Sequence, residues 1–207
     1  MEEARLFLIT YFAAFLGVIP PGLVNMTVAK TCVERGKRNG MYVAVGASFI
    51  VLLQAFIAVL LANYIFSNPF VQNILLRAGL VIFIILGIYF FVKAKQKEGI
   101  QQRSEKANSN SIFKGMFIAV LNVFPIPYFV AIAGALNVGV GVSYDWLKIL
   151  SFAMAGAMGT FTSLYLYVLF FNKIESKTES FSRFSNYFMA LLMLVLIVIT
   201  LFRIYSS

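Results

Sequence analysis

Two pairs of prolines, Pro20-Pro21 and Pro125 with Pro127, interrupt two apolar stretches 105 residues apart. Proline has no amide hydrogen, so in a helix it leaves the carbonyl four residues earlier without its usual donor. The carbonyls of Leu16 and Gly17 lose their partners in this way, and so do those of Leu121 and Val123. Hydrocarbon supplies no water to replace the lost donors, so groups freed in a membrane must be rehoused by protein or by a passing ligand. Polar side chains stand close by: Asn25 after the first interruption, Asn122 before the second and Tyr128 after it. Pro21 and Gly22 suit the opening turn of a new helix, whose free N–H groups would hold a carboxylate. The freed carbonyls would accept from an ammonium or a hydroxyl group, and Asn25 can both donate and accept. These parts suit a zwitterion such as an amino acid. The expected substrate-binding set is therefore Pro20, Pro21, Gly22, Asn25, Asn122, Pro125, Pro127 and Tyr128, joined by Gln54. Gln54 is one amide in an otherwise apolar segment; it either lines the pathway or bonds a neighbouring helix. The plainer reading of the prolines is that they only kink packed helices. Two interruptions with adjacent amides favour a site built from broken helices.

What the chain lacks narrows the chemistry. It has no histidine, and its eight acids (Glu2, Glu3, Glu34, Glu98, Glu105, Asp145, Glu175 and Glu179) all fall in expected loops or tails. No intramembrane carboxylate is then at hand for a proton relay or a cation. Oxygen ligands from amides and carbonyls alone suit zinc or manganese poorly, so no metal site and no cofactor are expected. No base stands near a nucleophile, so the chain does not read as an enzyme. Ser48, Thr160, Thr162 and Ser163 read as hydroxyls in helix packing. Cys32 is the single cysteine, which excludes an internal disulfide and reads as a small packing residue. No nucleotide-binding loop is present, which argues against direct use of ATP.

The elements that must hold these residues are membrane helices. Of the 207 residues, 61% are hydrophobic and 12% charged, more apolar surface than a soluble domain of this size can bury. Six stretches reach the roughly 20 residues needed to cross a bilayer: 6–29, 41–66, 70–92, 112–136, 147–171 and 184–202. The alternate loops carry thirteen of the 17 basic residues. Lys30, Arg35, Lys37 and Arg38 lie in the first of them, Lys93, Lys95, Lys97, Arg103, Lys106 and Lys114 in the second, and Lys173, Lys177 and Arg183 in the third. The positive-inside rule puts these loops in the cytoplasm and both termini outside. The net charge of +9 thus reads as topology and contact with anionic lipid, with no nucleic-acid partner. No cleavable signal peptide is read; the first segment is expected to stay as a permanent helix.

The polar stretch 94–111 divides the chain into 1–93 and 112–207, with three segments on each side. Three is odd, so two related halves would face opposite ways across the membrane. Tyr11-Phe12 to Pro20-Pro21 can be laid over Met116-Phe117 to Pro125-Ile126, and Gly46-Ala47 over Gly156-Ala157. The expected fold is an all-α integral membrane protein: six transmembrane helices in a 3+3 inverted repeat, with the first and fourth broken at prolines. Gly46, Gly156 and Gly159, with Ala153, Ala155 and Ala157, make faces for close helix approach and also admit a homo-oligomer.

Pro20-Pro21-Gly22-Leu23, then Gly36 and Gly40 in a basic loop, then Gly46-Ala47, resemble the first half of the LysE/RhtB amino-acid exporters. Phe113-Lys-Gly115 with Leu121-Asn122 is similar to that family's second-half motif. The resemblance spans nearly the whole chain and implies efflux of amino acids or similar small metabolites across a bacterial inner membrane. Departures are visible. Pro-Pro-Gly replaces the usual Pro-Gly-Pro, and Gln54 is the polar residue nearest the place where members often carry an Asp. Asn122-Val-Phe-Pro-Ile-Pro127 replaces Asn-Pro-Lys. Coupling through an acid and a cationic substrate are therefore not implied. The expected function is export of small zwitterions by alternating access. Its rivals are an ion transporter, tested by cation flux, and a non-transporting membrane subunit, tested by co-purification.

Overall fold

A computed structural model of the chain describes residues 2–20, 22–95, 110–122, 124–136, 138, 145–175 and 178–205. Every regular element among them is an α-helix: α1 Glu2–Val18, α2 Leu23–Arg35, α3 Lys37–Phe66, α4 Pro69–Lys95, α5 Ser111–Leu121, α6 Pro125–Ala135, α7 Trp146–Glu175 and α8 Thr178–Tyr205. Residues 96–109, most of the expected linker, lie outside the described residues, as do Pro21, Val123 and Asn137. Two described helices, α3 and α7, are long and apolar enough to cross a membrane. The number rises to four if each bent pair, α1 with α2 and α5 with α6, counts as one span. The bends are 69° and 68° and fall where the two proline pairs stand.

Local sequence explains where these helices start and stop. Asp145 opens α7 by accepting from the amides of Leu147 and Lys148 through Oδ1, at 3.1 and 3.3 Å. Asn68 does the same for α4, accepting from Phe70 and Val71, with Pro69 at the first helical position. Between α2 and α3 the chain turns on one residue, Gly36, whose φ of 85° lies in the region that side chains disfavour. Four residues on, Gly40 packs against Cys32 and the Val28 carbonyl, which fixes the α2–α3 corner. The glycines of the basic loop thus have a local structural reason.

The described residues form two contact units, 1–67 with 106–176 and 68–105 with 177–207. In the second unit α4 packs along α8, with Gly87 against Met193 and the Phe91 ring edge-on to Tyr187. In the first unit, α3 and α7 pack on each other, α1 lies on α7, and α5 lies on α3. This grouping cuts across chain order, since α1 and α3 come from the first half of the sequence and α5 and α7 from the second. The core of this unit holds Ala14, Val51, Ala55, Ala58, Phe129 and Phe152, with the last two rings edge-on at 5.9 Å.

The two bent helices show one burial pattern. In α1, Thr10 and Ala14 are buried while Leu8, Phe12 and Leu16 are exposed. In α5, Gly115 and Ala119 are buried while Phe113, Phe117 and Leu121 are exposed. Each residue of the first set lies 105 positions before its counterpart. Small residues inside and large apolar ones outside is the arrangement expected where the surroundings are lipid. The small residues also let backbones touch. A Cβ on Gly46 would overlap the carbonyl of Ile112 and approach the Met116 nitrogen to 3.2 Å, and one on Gly115 would overlap the Val43 carbonyl. On the other pair, a Cβ on Gly159 would overlap the Tyr11 carbonyl and reach 3.0 Å from the Phe15 nitrogen. Gly46 and Gly159 thus seat α5 and α1 respectively, and Gly156 admits the Phe129 ring.

Candidate functional site

The first break lies between α1 and α2. The Ile19 amide reaches back to the Leu16 carbonyl at 3.3 Å, so this carbonyl, expected to be free, has a donor. A tightened last turn supplies it. The carbonyls that side chains capture are the next ones along. Asn25, 4% exposed on α2, donates through Nδ2 to the carbonyls of Val18 and Pro20, the latter at 3.0 Å. Tyr167, from α7, donates its hydroxyl to the Ile19 carbonyl at 2.7 Å. Three consecutive carbonyls are therefore accepted by side chains. The first bond inside α2 runs from the Met26 amide to the Gly22 carbonyl at 2.9 Å. The amides of Leu23, Val24 and Asn25 precede it and have no acceptor within the helix. Gly22 is exposed, and a Cβ there would meet nothing within 4 Å among the described residues; of the three residues that follow, Leu23 is exposed while Val24 and Asn25 are buried.

The second break lies between α5 and α6. The Asn122 amide is shared between the carbonyls of Ile118 and Ala119, at 3.1 and 3.2 Å. Gln54, 5% exposed on α3, donates through Nε2 to the carbonyls of Ala119 and Asn122, at 3.1 and 3.0 Å. Asn122 therefore enters the site through its backbone. The first bond of α6 runs from the Tyr128 amide to the Phe124 carbonyl at 3.4 Å. Of the three positions before it, Pro125 and Pro127 have no N–H, which leaves Ile126 alone to offer one.

Tyr128 ties the second break to α1. Its hydroxyl donates to the Ala13 carbonyl at 2.7 Å, and its ring fills the notch at Gly17, where a Cβ would come within 2.8 Å of the hydroxyl oxygen. The site residues thus fall into two clusters: Pro20, Gly22 and Asn25 at one break, and Gln54, Asn122, Pro125, Pro127 and Tyr128 at the other. Pro21, also in the expected set, lies outside the described residues. Gln54, open between pathway and helix bonding on sequence alone, bonds the neighbouring broken helix. Tyr167 is the residue that sequence reasoning missed; the available signal was a tyrosine on the inward face of the helix that seats α1. A second contact of that helix pair, Tyr11 to Thr162 at 3.0 Å, reinforces the same junction. Ser48 and Thr162 donate to the carbonyls four residues earlier in their own helices, as packing hydroxyls do.

A family profile described as LysE type translocator matches residues 15–203, a range that contains both breaks and every described helix in part or whole. The chain belongs to the LysE type translocator family. Comparison with curated proteins and with solved structures gives no match. Membership of the LysE type translocators makes the chain a membrane transporter, of a family that is not enzymatic. The apolar outer faces of α1 and α5 agree with that setting.

Proposed function

We propose that this translocator exports amino acids or similar small zwitterionic metabolites by alternating access around the two helix breaks. The observation that carries the reading is the joining of both breaks in one contact unit, where Tyr128 beside the second break bonds the Ala13 carbonyl and lies on Gly17. Around that junction stand the amides at the start of α2 that have no acceptor within the helix, which suit a carboxylate, and a polar cluster at the second break. The prolines are read as the cause of the breaks, since each removes an amide that a continuous helix would use.

The same reading takes the fold as six spans in a 3+3 inverted repeat. The 105-residue offset in the burial pattern of α1 and α5 supports it, and so does the seating of each broken helix on a glycine-bearing helix of the other half. Residues 1–93 and 112–207 are then the repeats and 94–111 the linker. The basic loops face the cytoplasm of a bacterial cell and both termini face outward.

The test is efflux from proteoliposomes loaded with a mixed panel of amino acids, with and without a pH gradient. Wild type is compared with the Pro20→Ala/Pro21→Ala variant, and a drop of about tenfold or more in one substrate class is expected. Normal transport by the variant would show the broken-helix mechanism to be wrong. No flux from folded wild-type protein would favour an ion as cargo or a subunit role.

A further inference from the structure

Gln54 carries one polar atom that the protein leaves unsatisfied. Its Oε1 is buried and has no hydrogen-bond partner among the described residues. The orientation of the amide follows from its neighbours: two carbonyls, of Ala119 and Asn122, face the same end, and only Nε2 can donate to both. Turning the amide over would set an oxygen against two oxygens. Oε1 is thus a fixed, desolvated acceptor beside the second break. Leaving such a group unpaired is costly, and more so in a low-dielectric interior.

The surroundings select what can pair with it. The end of α5 contributes carbonyl oxygens, and the start of α6 contributes almost no donors because Pro125 and Pro127 lack N–H. Nothing here attracts an anion in the way that the start of α2 does. A group that donates and carries positive charge fits the place.

We infer that Gln54 Oε1 is the acceptor for the ammonium group of the transported zwitterion, making the second break its cation-reading end. The inference rests on the proposed export of zwitterions and assigns that substrate its orientation: ammonium toward Gln54, carboxylate toward the first turn of α2. Each transport cycle then brings a donor to Oε1.

The experiment is counterflow in proteoliposomes, with L-alanine, L-leucine and L-serine as competitors beside propionate, 4-methylpentanoate and 3-hydroxypropionate, which lack the amino group. Wild type is expected to prefer the amino acids by at least about tenfold, the size of one hydrogen bond to a charged group. In Gln54→Leu the preference falls to within about twofold, because only ligands bearing the ammonium lose a partner. In Gln54→Glu, burial against the Ala119 and Asn122 carbonyls favours the protonated acid, whose O–H replaces one of the two Nε2 bonds and whose carbonyl oxygen keeps the acceptor, so the preference stays within about twofold of wild type. This second variant gives a reading if the leucine variant fails to elute as a single folded species. A purely structural Gln54 would weaken both ligand series alike. An unchanged ratio in both variants, with amino acids still moved, overturns the inference and leaves the export reading standing. No competition by any amino acid in wild type overturns both. A Gln54-dependent requirement for sodium, with the ratio unchanged, assigns Oε1 to a metal cation and also overturns the inference.

Discussion

The two breaks look alike in outline and differ in chemistry. Each ends a helix whose large side chains face outward, each bends by nearly the same angle, and each has an amide side chain donating to two of the carbonyls left at the helix end. At the first, the amide is local, Asn25 in the helix that follows, and a tyrosine takes the remaining carbonyl. At the second, the amide comes from another helix, and its oxygen is left over. Three N–H groups open α2, while one opens α6. Under the proposed function, this frame would hold two ends of opposite preference, one for anions and one for donors. For a zwitterion that difference sets direction within the site, which a symmetric pair of breaks could not do.

The comparison can be broken most severely at the supports. Gly46→Leu drives a side chain into the backbone of α5, and Gly159→Leu does so into α1. Each is expected to lower stability by about 3 kcal/mol or more, read from thermal unfolding in detergent, because neither neighbour can yield without moving its helix. Similar losses would confirm that the frames are equivalent; a large loss at one alone would break the equivalence.

Replacing the amides separates the chemistry. Asn25→Leu strips the Val18 and Pro20 carbonyls, at an expected cost of about 3 kcal/mol. Gln54→Leu is expected to cost about 1 kcal/mol. The Ala119 carbonyl keeps the Asn122 amide, and the unsatisfied Oε1 disappears with the side chain. Equal losses in the same unfolding assay would contradict the contrast between the two ends. The tyrosines are expected to give effects as small as that of Gln54→Leu. Tyr167→Phe and Tyr128→Phe each remove one hydrogen bond to a backbone carbonyl, worth about 1 kcal/mol. Yet only Tyr128→Phe cuts a bond between the two broken helices, so its counterflow rate is expected to change the more.

The places of the bends were legible in the sequence, since prolines stand at both; that the prolines cause them belongs to the proposed function. Pro20 and Pro125 mark the bends to within a residue or two. The glycine faces were also legible, because a missing Cβ has little use except close approach. What could not be read was which side chain meets which carbonyl. The loss of an amide donor at Pro20 frees the Leu16 carbonyl on paper, but a tightened turn recovers it and moves the vacancy to Val18, Ile19 and Pro20. Gln54 lies 65 and 68 residues from the carbonyls it meets, and Tyr167 lies 148 from its own. Those pairings depend on helix packing, which periodicity does not encode.

The exchange of partners, α1 on α7 and α5 on α3, has a consequence for biogenesis. When α1 and α3 enter the bilayer, the helices that cover their small-residue faces have not yet been made. The early chain must therefore wait, with glycine and alanine faces turned to lipid, until the second half arrives. A fragment ending in the linker is not a miniature translocator but an unfinished one, and supplying residues 112–207 as a separate polypeptide is what would complete it.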